Sequence, residues 1–234
     1  MFNSKIFRRG NLTRAKGQVK NEYETIKNKN FDERKFANVN DWVKNIVIDP
    51  IDADVNIFLS NSSKVEVHFY GKADVDGDIN FNVHVENQEL IISLEFIGNY
   101  YNGILKLDVA LPHKTFKTIG VNSSSASVTL DKGVSTEYLK IETKSGNLEN
   151  NATFSNASVK TTSGDIKFYI NAITDINVDI STVIGDVVME FNNIGHIDIL
   201  AKTKIGNIEN LHKKENGYTA TVDISTMSGD IKIK

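Results

Sequence analysis

Residues 157–189 read ASVKTTSGDIKFYINAITDINVDISTVIGDVVM, and this stretch holds one pattern twice. Gly164 and Gly185 each stand three positions after a threonine, Thr161 and Thr182. Each is followed by an aspartate, Asp165 and Asp186, and then by an apolar residue, Ile166 and Val187. Five before each glycine stand Val159 and Ile180, and seven before stand Ala157 and Val178. Working outward, the pattern recurs at Gly146, Gly206 and Gly229, and at Ala126 in the glycine's place, with spacings of 20, 18, 21, 21 and 23 residues. The Thr column continues as Ser123, Thr143, Thr203 and Thr226, and the polar column as Ser127, Asn147, Asn207 and Asp230. The unit is apolar-x-apolar-x-Thr-x-x-Gly-Asp/Asn-apolar.

A unit of this length, with two period-two stretches, is too short to bury a core of its own. It must stack on its neighbours, which is the logic of a solenoid. The expected fold is all-β, a stacked β-solenoid of single-stranded β-helix type. Ile180, Val187 and Ile208 belong to its interior ladders. The turn glycines Gly146, Gly164, Gly185, Gly206 and Gly229 are expected at φ > 0, where a Cβ is strained. The Asp or Asn that follows can bond the turn backbone. The branched Thr side chains suit strands, with hydroxyls expected to bond one another along the ladder.

Upstream, residues 45–112 alternate with period two through Val55, Ile57, Val65, Val67, Phe69, Ile79, Phe81, Leu90, Ile92, Leu105 and Leu107. Turns are expected at Asn61-Ser62-Ser63, Gly71, Asp76-Gly77-Asp78, Asn87-Gln88 and Asn102-Gly103. Asn40-Asp41 before Trp42 suggests one short helical turn. This gives a basic N-terminal segment over 1–40, open to helix, and a solenoid domain over 41–234. Within the domain, 41–115 is irregular and 116–234 regular.

Residues 1–40 carry ten basic and four acidic side chains, +6, against a net −3 for the 234-residue chain, so the remainder carries −9. All four arginines lie at or before Arg34. The basic segment could dock on an anionic membrane surface or a partner. The acidic, Arg-free remainder argues against nucleic-acid binding. Cysteine is absent, which removes thiolate metal sites and thiol nucleophiles. No apolar run reaches the length of a membrane-spanning helix, and residues 1–18 lack the apolar core of a secretory signal. The expectation is a cytoplasmic or membrane-peripheral location.

Asp74, Asp76 and Asp78 alternate as in part of a calcium loop, but Gly77 precedes the third aspartate and Val85 stands where an EF-hand has its glutamate. A solvated hairpin turn is the alternative, and these three remain the candidate metal ligands. His68, His84, His113, His196 and His212 show no zinc spacing. The nucleophile-elbow and phosphate-loop motifs are absent. No catalytic residue or cofactor is assigned.

The units TTSGDIKFYI, STVIGDVVMEF and STMSGDIKIK, with LKLDVALP and ADVNIFLSNSSKVEVHFYG ahead of them, resemble the bacterial putative-adhesin domain over roughly residues 45–234. The resemblance implies a β-solenoid, envelope association and no catalytic residues. The function expected is a non-enzymatic, adhesin-like scaffold or binding module at the bacterial cell envelope, with a protein or glycan partner. The alternatives are a glycan-processing enzyme on a β-solenoid and a cytoplasmic accessory protein of an envelope-stress response. The sixth unit runs to Ile233 with no cap after it, so an open C-terminal coil and a homodimer through it are expected.

Overall fold

The computed structural model describes residues 27–212 and 217–234. Strand β1 is Lys27–Asn38, followed by β2 (Asn45–Ile51) and β3 (Asp54–Leu59). A hairpin of two 23-residue strands comes next, β4 (Lys64–Glu86) and β5 (Glu89–Leu111). Each later coil is a long arm followed by a short one. These are β6 (Thr115–Ser125) with β7 (Val128–Leu130), β8 (Ser135–Ser145) with β9 (Leu148–Asn150), and β10 (Thr153–Ser163) with β11 (Ile166–Asn171). They continue as β12 (Ile176–Ile184) with β13 (Val187–Asn192), β14 (Ile194–Ile205) with β15 (Ile208–Asn210), and β16 (Tyr218–Ser228) with β17 (Ile231–Ile233).

Long arms pair in parallel with long arms and short with short. The interior column predicted from the repeats is one continuous rung: Val121, Ile141, Val159, Ile180, Ile224 and Ala201 are neighbours in register. Val128, Leu148, Ile166, Val187, Ile231 and Ile208 form the matching rung on the short arms. Inward residues of both arms close one apolar core, in which Ile180 and Val187 are fully buried.

A seventh copy opens the solenoid. Ile46 and Ile48 lie beside Ile119 and Val121, and Val55 lies beside Val128. By sequence offset Pro50 falls in the Thr place and Ala53 in the glycine place, so the motif is disguised, and a register shift then brings Ile51 beside Ser123. The chain bends there through Ile51, a β-branched residue at φ +54, a conformation such side chains rarely adopt.

The β4–β5 hairpin is an insertion that folds back over this first coil. The two ends of β5 pair in parallel with β2 and β3, and β4 runs antiparallel to β5. Of the expected turns in this region, only 61–63 and Asn87–Gln88 separate strands. Gly71, Gly77 and Gly103 lie inside the long strands. They let two backbones approach: a Cβ on Gly71 would sit 2.1 Å from the Ile104 carbonyl oxygen.

Residues 27–38 of the expected basic segment are strand, pairing antiparallel with Lys64–Val75 of β4. Phe31 is buried there, its ring 5.4 Å from that of Phe69. Residues 1–26, where helix was expected, lie outside the described residues. At Asn40–Val43 the chain makes a tight turn, not a helix: the Trp42 N–H donates to Asn40 Oδ1 at 3.1 Å, and the Val43 N–H to the Asn40 carbonyl. Lys114 ties this turn down by donating to the carbonyls of Asn40 and Val43 at 2.6 and 2.7 Å. Burial pulls the Lys114 ammonium below its usual range.

The coils do not stack in chain order. β16 lies between β12 and β14, and β17 between β13 and β15. The C-terminal coil is therefore interior, and the coil before it in sequence forms the end of the stack. This corrects the expectation of an open C-terminal coil. Lys232 and Lys234 bind Glu209 (2.7 Å) and Glu190 (2.5 Å) on the coils to either side. Ile208, placed in the interior ladder, keeps its register beside Ile231 but is 48% exposed, because it belongs to the end coil.

Candidate functional site

Every coil turns at the glycine column, and there the polar side chains form a relay. Asp54 Oδ1 accepts from the Ser127 N–H, Ser127 Oγ from the Asn147 N–H, and Asn147 Oδ1 from the Asp165 N–H. Asp165 then accepts from Asp186, Asp186 from Asp230, and Asp230 from Asn207. Each side chain caps the corner of the next coil, and the relay follows the spatial order of coils. The Thr column does something other than expected. Thr143, Thr161 and Thr182 point inward and donate to the carbonyl two residues on, while Thr203 and Thr226 donate to glycine carbonyls of the neighbouring coil. These carbonyls also accept a backbone N–H from the neighbouring coil, Ser145 from Ala126, Ser163 from Gly146 and Ile184 from Gly164, so each inward threonine fills the second lone pair of a corner carbonyl.

Asp74, Asp76 and Asp78 lie within β4, neither in a calcium loop nor in a hairpin turn. Asp74 accepts from Asn28 at 2.9 Å, and Asp78 lies 3.5 Å from the Lys29 ammonium. Among the described residues, no three His, Asp or Glu side chains gather as a metal-binding group. Of the basic residues expected to dock outward, Lys29 also donates to the Gly77 carbonyl, Arg34 bonds Glu66 at 2.5 Å, and Lys35 donates to the Phe81 carbonyl.

The outward side chains of the long arms are the more distinctive surface. Because the arms are in register, outward residues form rows across the stack. One row runs Asn45, Thr118, Tyr138, Asn156, Asn177, Thr221 and Asp198. The next runs Val47, Gly120, Lys140, Ser158, Asp179, Asp223 and Leu200. Two adjoining troughs of about 460 and 440 Å³ lie on this face and share Thr118 and Lys140. Tyr138 lines the second of them, 47% exposed. Asn177 donates to Asn156 at 3.3 Å, and Ser225 to Ser181 at the same distance. The face is floored by small polar groups and carries one aromatic ring. The sequence shows the alternation but not which outward residues become neighbours, since that depends on coil order.

In the middle of β5, Phe96 and Tyr100 stack with centroids 4.3 Å apart, and Ile97, Tyr101 and Ile104 are exposed in the same stretch. Burial, with the Asp52 charge nearby, raises the Tyr100 phenol above its usual range, and burial also raises the Asp52 carboxyl. Among the described residues, no helix is long and apolar enough to cross a membrane.

Solved structures share this architecture. A putative cell adhesion protein from Clostridium sporogenes ATCC 15579 is 14% identical with a TM-score of 0.54, and the match covers 88% of this chain and 99% of that one. A putative adhesin from Bacteroides fragilis NCTC 9343 is 16% identical with a TM-score of 0.50, covering 87% and 97%. At these identities the likeness is one of fold. No curated protein matches the chain. The model of one domain family, Toastrack DUF4097, matches residues 43–234, which is the span from the first disguised coil through the hairpin insertion to the last inserted strand. With its seven coils accounted for by that match, the chain belongs to the Toastrack DUF4097 family.

Proposed function

We propose that the protein is a non-enzymatic, adhesin-like binding scaffold of the bacterial cell envelope, with the outer face of its long arms as the ligand surface. The observation that carries this reading is the registered face itself. Tyr138, Asn156, Asn177, Asp179, Thr221 and Asp223 line one open trough with aligned donors and acceptors around an aromatic ring. Amides, hydroxyls and carboxylates in such rows suit the hydroxyls of a glycan, and a tyrosine ring suits the C–H face of a sugar. The names of the two bacterial structural neighbours point to adhesion, which supports the same reading.

One observation favours glycan processing as a second reading. Asp179 and Asp223 occupy adjacent rungs on the trough floor, a carboxylate pair of the kind sugar hydrolysis uses. Both side chains are exposed, and binding is preferred because open solvent does not supply the water exclusion that chemistry at a cleft gains.

Titration of the protein against bacterial envelope glycans tests both readings. Binding is expected, with Tyr138→Ala and the double variant Asn156→Ala/Asn177→Ala each weakening it by about 10-fold, or about 1.4 kcal/mol, while the circular dichroism melt stays unchanged. No binding, or binding that neither variant moves, would remove this face as the site. Release of new reducing ends that stops in Asp179→Asn would favour the enzyme. Cell fractionation decides between the envelope and a cytoplasmic accessory role.

A further inference from the structure

We propose that the open end of the solenoid, the edge of β14, is a self-association surface through which two copies of the chain meet about a twofold axis at Leu200.

The two ends of the stack are built differently. At the hairpin end, β1 presents Lys29, Asp32, Glu33, Arg34 and Lys35, and Lys29 and Lys35 cap carbonyls of β4. Charged side chains on an edge strand deter pairing with another chain. At the other end, among the described residues, β14 and β15 pair only on the side of β16 and β17. The inward column that is buried in every other coil surfaces here. Ile197, Ile199 and Ala201 are only partly covered, and Ile208 is 48% exposed. Leu200, on the outer face, is 50% exposed. Such an end offers apolar surface and strand backbone together.

The backbone phase decides how it can be paired. The Ile205 carbonyl accepts from the Gly229 N–H at 2.9 Å, so Ile205 faces its backbone toward β16. The ladder skips Lys204, so the alternation restarts at Thr203. In the row that holds Asp198 the Asn45 N–H donates back to the Gln88 carbonyl, away from β6, so in β14 it is the inward residues Ile197, Ile199, Ala201 and Thr203 that turn their N–H and C=O groups to the open edge. An antiparallel copy centred on Leu200 exchanges backbone hydrogen bonds between Ile199 and Ala201 and between Ile197 and Thr203, and sets Leu200, Asp198 and Lys202 opposite one another as the closer, non-hydrogen-bonded pairs. Leu200 then meets Leu200, and Asp198 meets Lys202 twice, once on each side of the axis. On the inner face Ile199 meets Ala201 and Ile197 meets Thr203, which joins the two cores. Only the outermost pair, His196 with Lys204, lacks an opposite charge. A twofold contact of this kind closes, so it yields a dimer and no fibre. Cross-strand opposite charges are the pairs that set such a register.

Sedimentation equilibrium of the full chain between about 1 and 100 µM, the range of a micromolar dissociation constant, tests the proposal. Twice the 26.1 kDa chain mass is expected. Asp198→Lys and Lys202→Asp should each raise the dimer dissociation constant by about 10-fold or more, and the double exchange should restore it to within about 3-fold, the signature of a direct pair. Leu200→Lys should also separate the copies. These residues are exposed, so the melt of each variant should match the parent. A chain that stays monomeric at about 100 µM would overturn the proposal, as would a dimer indifferent to the single exchanges or a β14 edge covered by residues 1–26 in hydrogen exchange.

Discussion

Gly185 sits at φ +149, and a Cβ built on it would lie 2.0 Å from the carbonyl oxygen of Gly164 on the coil below. Two penalties therefore combine, backbone strain and a backbone clash that no rotamer relieves. Gly185→Val is expected to cost more than about 2 kcal/mol in a urea unfolding series, as strain at a special backbone position does. An unchanged midpoint would contradict the corner geometry. Asp52 offers the opposite case, a residue whose removal should help. Burial raises its carboxyl above the ordinary 3.8, so the folded state holds the proton more tightly than the unfolded one. Ionising it then costs stability, a cost present above the folded pKa and gone below 3.8. Asp52→Asn should raise the melting temperature at pH 7, and the gap over the parent should close as pH falls through the carboxylate range. A gap constant with pH would assign the effect to packing.

The coil is the unit at which burial becomes energy. Ile180 and Ile208 fill equivalent kinds of column position, yet one is at 0% exposure and the other at 48%. Ile180→Ala should cost about 2–5 kcal/mol by leaving a cavity between two coils, whereas Ile208→Ala should cost less than about 1 kcal/mol, since the site opens to water. Equal losses in chemical denaturation would mean that the end coil is covered. The columns themselves were legible in the sequence, because stacking requires the same residue class at the same place in each unit. The first coil was not, since it carries neither a hydroxyl residue nor a glycine at the marking places, where Pro50 and Ala53 stand. Gly71 and Gly77 mislead for a related reason: glycine marks a close backbone approach as well as a turn, and within β4 it does the former. Of the candidate site, the alternation that exposes Tyr138 and Asp179 was readable, but the adjacency of Asp179 to Asp223 was not. Forty-four residues separate Asp179 from Asp223, and Leu200, the end-coil residue of the same row, lies between them in sequence.

For the molecule as a whole, the order of coils is a fact that repetition conceals. Identical columns let any unit pair with any other, so the arrangement is decided by features outside the motif. Lys232 with Glu209 and Lys234 with Glu190 are ion pairs that bind β17 to the coils on both of its sides. Deleting residues 218–234 should thus do more than remove one coil. The amides of 194–210 are expected to lose hydrogen-exchange protection together, because their seat is β16 and not β12. Retained protection would show that β14 can step down a layer onto β12. The same interleaving bears on how the molecule is made. During translation β14 and β15 leave the ribosome before the strands that belong beneath them, while the vacant edge of β12 is already exposed. Two segments of similar pattern then contend for one berth, and the earlier to arrive is the wrong one. The nascent chain must hold that berth open or surrender it to the later arrival, so assembly speed would be governed by the order of synthesis and not only by the strength of the finished contacts.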